Sequence, residues 1–342
     1  MRYPAFLKKG EKIGFVAPSF GVAIEPYVTA FANALKKFEA LGYGNDAGPN
    51  VYRNDGIGIS APPADCGREL TEWYCRKENR ALISAGGGEL MCEDLPYVDF
   101  DAIRNAEPKW YMGYSDNTNM TFLLPTLTDT AALYAPCAAS FGMEPWHPAI
   151  RDAFGLLTGD VNAVESYDLW EKESLKSELT PLVPYNVTEE NKPVFHNWDG
   201  TPLEGRLLGG CLDCLVNLCG TRFDRVKAFE EKYREDGILW FLESCDLNVF
   251  SIRRALWELR EAGWFETARG FLIGRPLQFG QELFGLDQYK AVTGILEPIG
   301  KPVLMDLDIG HLPPMMPLVS GGFATVSKTE NGKIRVAFRF DK

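Results

Sequence analysis

Imidazole is the one side chain whose ordinary pKa lies near neutrality, so a proton-shuttling mechanism starts from the histidines. The chain has three. His147 (in PWHP) and His196 (in FHNWDG) lie in a proline-rich stretch, whereas His311, in DIGHLPP, follows an apolar strand-like run and a glycine. A loop just past a strand end is where a base can be held, and a hydrogen-bonded surface histidine would read the same way. Ser115 stands in Gly113-Tyr114-Ser115-Asp116-Asn117, after the strand-like KWYMGY and before a helical segment. A serine at a sharp strand-to-helix turn can be a nucleophile, with free helix N-terminal N–H groups beside a developing oxyanion. It can equally be an N-cap. Asn117 occupies the second glycine of the usual G-x-S-x-G string, so that motif is not met. Glu243 closes the apolar run GILWFLES. A carboxylate there is either solvated at the strand end or paired, and a histidine N–H is a natural partner. Gly86, Gly87 and Gly88 follow the run ALIS. Their N–H groups could stabilise an oxyanion, or the triplet is simply a tight turn.

These residues need a scaffold. Residues 12–18, 81–84 and 109–114 read as short buried strands, and residues 26–41, 66–78 and 116–127 as helices. Strands alternating with helices predict a parallel sheet flanked by helices, with ligands beyond the carboxyl ends of its strands. The triple glycine and the Ser115 turn both fall at such ends. From residue 146 to 200 the pattern decays under repeated prolines, and this span reads as a linker, either solvated or covering a substrate. Residues 207–218 read as a glycine turn entering a helix. Strands are expected at 237–242, 270–274 and 302–306, a helix at 251–262, and a terminal hairpin across 324–339.

The chain's 342 residues suggest about two domains at roughly 150 residues each. We place them at residues 1–145 and 201–342, with 146–200 between. A net charge of −12 argues against nucleic acid and anionic membrane surfaces as partners. No apolar run reaches the ~18 residues of a membrane span. The N-terminus lacks the apolar core of a signal peptide. Eight dispersed cysteines fit free thiols in a reduced cytoplasm, and the Cys211-x-x-Cys214 pair lacks companions for a zinc site.

The chain resembles the LD-carboxypeptidase family of serine peptidases, which includes the microcin C immunity proteins. The resemblance is carried by IGFVAPS (13–19), LPYVDFDAIR (95–104), GYSDNT (113–118), EGRLLGGCLDCLVNLCGT (204–221), ILWFLES (238–244), LIGRP (272–276) and IGH (309–311). It implies an α/β fold: a parallel-sheet N-terminal domain of Rossmann or flavodoxin type, and a smaller C-terminal domain of mixed sheet. It further implies a site between them, a homodimer, and no metal or cofactor. By motif, Ser115 would be the nucleophile, Glu243 the orienting acid and His311 the base, with the N–H groups of Asp116 and of Gly87 or Gly88 as the oxyanion hole. The substrate would be a small peptide-like amide: a murein peptide or an aminoacyl or peptidyl nucleotide. Departures fall on the substrate side. Cys211 stands where the family's GGN has asparagine, Ala85-Gly86-Gly87-Gly88-Glu89 lacks the arginine of RGG, and Tyr134-Ala135-Pro136 replaces HGP or YGP. Trp170 and Trp198 in the linker offer flat faces for a planar group, or pack beneath it as small satellite cores, and lean the expectation toward the immunity branch. The rival classes are an esterase of α/β-hydrolase type and a non-catalytic binding protein on the same fold.

Overall fold

Alternation along the first strands decides the N-terminal architecture. In the computed structural model, which describes residues 1–341, Lys12–Val16 sends Ile13 and Phe15 to one face and Val16 to the other. Ala81–Ser84 and Trp110–Gly113 split likewise, with Ile83 and Met112 opposite Leu82 and Tyr111. A strand apolar on both sides must be covered on both sides. Helix Tyr27–Ala40 covers the first face with Phe31 and Phe38, and helix Pro63–Cys75 covers the second with Leu70 and Tyr74. The sheet runs, in space, Leu318–Ser320, Ala132–Tyr134, Trp110–Gly113, Ala81–Ser84, Lys12–Val16, Gly44–Ala47. All neighbours are parallel except Leu318–Ser320, which pairs antiparallel to Ala132–Tyr134.

The second sheet has eight strands in the order Ala163–Glu165, Ile334–Arg339, Phe323–Lys328, Leu203–Cys211, Ile238–Glu243, Ala268–Gly274, Val303–Leu307, Val194–His196. Its central four, from Leu203–Cys211 to Val303–Leu307, are parallel, and the flanking pairs are antiparallel. One face carries Leu207, Leu239, Phe241, Leu272 and Leu304 into the core that also holds Phe15, Phe31 and Met112. The other carries Leu208, Trp240, Leu242 and Phe271 under helices Val249–Glu261 and Gln288–Leu296. A shared apolar core therefore clamps the second sheet to the first half of the chain.

Two local readings change. The glycine turn expected at residues 207–211 is the end of the nine-residue strand Leu203–Cys211. Gly209, at φ +154°, lies so close to its neighbour that a Cβ would sit 1.8 Å from the Phe241 carbonyl oxygen. Glycine is there for close backbone approach within a strand, not for a turn. The span 146–200 is also more structured than its prolines suggest. It contributes both edge strands of the second sheet, Ala163–Glu165 and Val194–His196.

Candidate active site

Strand Trp110–Gly113 ends at Tyr114, and the chain turns sharply at Ser115, whose φ is +63°. That is a costly backbone for a non-glycine residue, of order 1–3 kcal/mol, and such outliers collect where a side chain must be presented. Asn117 holds the turn in place of the missing glycine. Its side-chain amide donates to the Gly86 and Tyr114 carbonyls at 2.9 and 3.2 Å, and Tyr111 donates to its oxygen. A Cβ on Gly113 would come within 2.8 Å of Asn117, so Gly113 makes room for that side chain. The Asp116 carboxylate accepts the Ser19 hydroxyl and the Met91 N–H, fixing the residue after the turn.

Glu243 is the last residue of Ile238–Glu243 and is 1% exposed. It does not stand solvated. Oε1 accepts the Tyr134 hydroxyl at 2.6 Å, and Oε2 lies 2.8 Å from His311 Nδ1. Nε2 of the same ring lies 2.8 Å from Ser115 Oγ. Gly310, at φ +102°, brings the histidine loop against the carboxylate, where a Cβ would be 2.5 Å from Oε2. Burial pushes the Glu243 carboxyl up, but the facing His311 and the bonds from His311 and Tyr134 outweigh it and hold the group below its ordinary value. Burial likewise lowers His311, but Glu243, Cys245 and their hydrogen bonds raise it well above its ordinary value. With Nδ1–H donating its hydrogen bond to Glu243 Oε2, the neutral ring presents a lone pair at Nε2 to the Ser115 hydroxyl. That arrangement can draw a proton from Ser115 as its oxygen attacks an electrophile.

The glycine turn passes beside this serine. A Cβ on Gly87 would be 3.5 Å from Ser115 Oγ, and Gly88, Asp116 and Ser115 line one cavity of about 150 Å³. Cys211 lines it too, 2% exposed, its N–H on Thr118 Oγ1 at 2.9 Å. Contact with Cys214, then burial, holds the Cys211 thiol well above its ordinary value, so it is neutral. A second cavity of about 320 Å³ is lined by His311 itself, together with Tyr27, Tyr114, Tyr185, Glu171 and Lys176 among others. Several residues of 171–185 in the proline-rich span thus form part of this cavity's wall.

Of the two readings offered for the linker tryptophans, the contacts match packing beneath the span. Trp170 is 5% exposed, packs on Phe279, and has the Arg275 guanidinium 5.0 Å from its ring. Trp198 packs on Phe195 and donates to the Thr201 carbonyl. Neither lines the two cavities beside Ser115 and His311, because each is drawn into apolar contacts of its own. The other histidines stand apart as well: His147 caps helix Pro148–Thr158, and His196 faces Glu297. The contacts of Tyr134 and Asn117 in the site emerge only from the structure. Their signal was position alone: one ends a strand beside the serine strand, the other sits two residues past the serine.

The class of protein is thus a two-sheet α/β molecule in which a strained serine, a histidine and a buried carboxylate from three strand ends form one hydrogen-bonded chain. The chain belongs to the LD-carboxypeptidase family: residues 13–135 match its N-terminal domain and residues 204–326 its C-terminal domain. At family level this makes it a peptidase-type hydrolase. It is 25% identical over 333 residues to the probable murein peptide carboxypeptidase of Bacillus subtilis, covering 96% of this chain and 92% of that one. It is 26% identical over 324 residues to the microcin C7 self-immunity protein MccF of Escherichia coli, covering 92% and 90%. The fold is shared with an MccF-like protein from Bacillus anthracis (TM-score 0.82, 22% identity, 99% and 100% covered). It is also shared with MccF in complex with aspartyl sulfamoyl adenosine (TM-score 0.80, 22% identity, 98% of each chain covered).

Proposed function

We propose that the protein is a serine peptidase that cleaves an amide in a small peptide-like substrate through Ser115, His311 and Glu243. The observation that carries this is the continuous hydrogen-bond chain from Ser115 Oγ through both nitrogens of His311 to Glu243. Ser115 Oγ attacks the carbonyl carbon while Nε2 takes its proton, and Glu243 stabilises the imidazolium that forms. The N–H groups of Asp116 and of the Gly87–Gly88 turn face the charge that develops on the carbonyl oxygen. As the C–N bond breaks, Nε2 returns the proton to the leaving amine. Water, deprotonated by the same nitrogen, then attacks the acyl-serine ester; as the C–Oγ bond breaks, Nε2 returns that proton to Ser115 and the carboxylate leaves. Tyr134 steadies the far oxygen of Glu243, so the carboxylate keeps one orientation throughout.

The substrate reading rests on the relatives: a murein peptide cut before its terminal residue, by likeness to the Bacillus subtilis protein. A second reading, an aminoacyl nucleotide, is favoured by the structural neighbour that holds aspartyl sulfamoyl adenosine and by the tyrosine rings around the larger cavity. We place the protein in the cytoplasm on its eight free cysteines and infer a homodimer from the family likeness. The deciding experiment is hydrolysis of L,D-dipeptides, murein tetrapeptides, aminoacyl-nucleotide amides and simple esters by the wild type and Ser115→Ala. Ser115-dependent amide cleavage is expected. Turnover of esters alone points to an esterase, and binding without turnover or labelling by a serine-directed probe points to a binding protein.

A further inference from the structure

The two cavities beside the site have different roles, and the chemistry of His311 assigns them. A leaving nitrogen must reach the proton on Nε2, so the leaving group lies on the His311 side, in the 320 Å³ cavity. The acyl part lies with Ser115, Asp116 and Gly88, in the 150 Å³ cavity. Resting on the proposed Ser115 mechanism, we propose that Lys176 is a specificity-determining residue that binds an anionic group on the leaving fragment: the terminal carboxylate of a peptide or the phosphate of a phosphoramidate.

Lys176 sits on the covering segment and lines the leaving-group cavity together with His311. Its ammonium rests over the Tyr27 ring, 5.4 Å from the centroid. Among the described residues it forms no ion pair. Glu171 lines the same cavity and acts on Lys176 without an ion-pair contact, its carboxylate accepting the Asn186 N–H. Burial holds the Lys176 pKa below its ordinary value, with Glu171 working the other way. A half-buried cation without a paired carboxylate, facing a cavity that adjoins a general acid, is stabilised when an anion enters. The cation's position beyond His311 also explains how a small exopeptidase would tell the last amide of a peptide from an internal one: only the last carries a free carboxylate one residue past the bond.

The test compares L-lysyl-D-alanine with its C-terminal carboxamide, and an aminoacyl phosphoramidate with its neutral ester. The lysyl group suits the carboxylates Glu89, Asp213 and Asp246 on the acyl side. For the wild type we expect kcat/KM to favour the anionic member of the relevant pair by about ten- to a hundred-fold, the worth of one charged hydrogen bond. Lys176→Met should bring that ratio to within about two- to three-fold, mainly through KM, and Lys176→Arg should restore part of it. The pair that responds identifies carboxylate or phosphate as the ligand. Titrating both pairs into Ser115→Ala by calorimetry reads the same preference without turnover. An unchanged ratio in Lys176→Met, by rate and by binding, overturns the role of Lys176 while leaving the Ser115 mechanism intact. A Lys176-dependent binding preference with no Ser115-dependent cleavage overturns the mechanism and keeps Lys176.

Discussion

Ser115 is held in a left-handed conformation with its hydroxyl already on Nε2 of His311, so the groups that would react are set before any substrate arrives. Ser115→Ala removes one oxygen from a turn fixed by Asn117 and Asp116. We expect thermal unfolding close to wild type and kcat lowered at least about 10³-fold, as when one member of a cooperating set is lost. The raised His311 pKa sets a second expectation. Since the base must be neutral, kcat/KM falls as pH drops through that pKa, so the acid limb should lie above the ~6.5 of an ordinary imidazole. Substituting His147 or His196 should leave the limb in place, and a pH profile of each variant checks this. Tyr134→Phe leaves Oε1 of a fully buried carboxylate without its donor, a cost of roughly 1–3 kcal/mol that should appear in kcat and in stability. At this scale the sequence marked Ser115, Glu243 and His311 as candidates at or just past strand-like runs, and the family resemblance supplied the roles expected of them. The hydrogen bonds of Tyr134 and Asn117 could not be read, because they depend on which strands lie side by side.

Among the elements, those with a clear periodic core were readable, and those whose partners lie far along the chain were not. Helix Tyr27–Ala40 shows its Phe31 and Phe38 stripe in the sequence. Gly44–Ala47, with residues GNDA, has no strand character of its own and pairs only because Lys12–Val16 offers an open edge. Leu203–Cys211 was hidden by its glycines, which serve tight packing on Phe241. The Gly310 loop gives a test at this scale. A Cβ there meets Glu243 Oε2 at 2.5 Å and takes a φ that costs about 1–3 kcal/mol outside glycine. Gly310→Ala should fold, with a lowered unfolding midpoint. Its activity should fall more than its stability, because displacement opens the His311–Glu243 bond; circular dichroism melts beside rate measurements separate the two.

The whole molecule is sewn together by segments that cross between its halves. Leu318–Ser320 completes the first sheet although it lies in the last part of the chain, and Asp308, three residues before His311, pairs with Arg275 where both are buried. The same carboxylate accepts Tyr167 N–H and the Asn191 side chain at 2.8 and 2.7 Å, so the covering span and the histidine loop share one anchor. Removing one partner of a buried ion pair typically costs 3–5 kcal/mol. Asp308→Asn should therefore lower stability by about that much. Urea unfolding should remain a single transition, because the shared core of Phe15, Met112, Phe241 and Leu272 leaves neither half able to melt alone. Two separated transitions would contradict that shared core.

The covering span has a further consequence. Its ends, Ala163–Glu165 and Val194–His196, are stitched to opposite edges of one eight-stranded sheet, and residues 171–185 between them form a wall of the leaving-group cavity. The segment is therefore fixed at both margins. Under the proposed cleavage such a bounded wall would limit how many residues follow the scissile bond, so each extra residue there should cost turnover steeply.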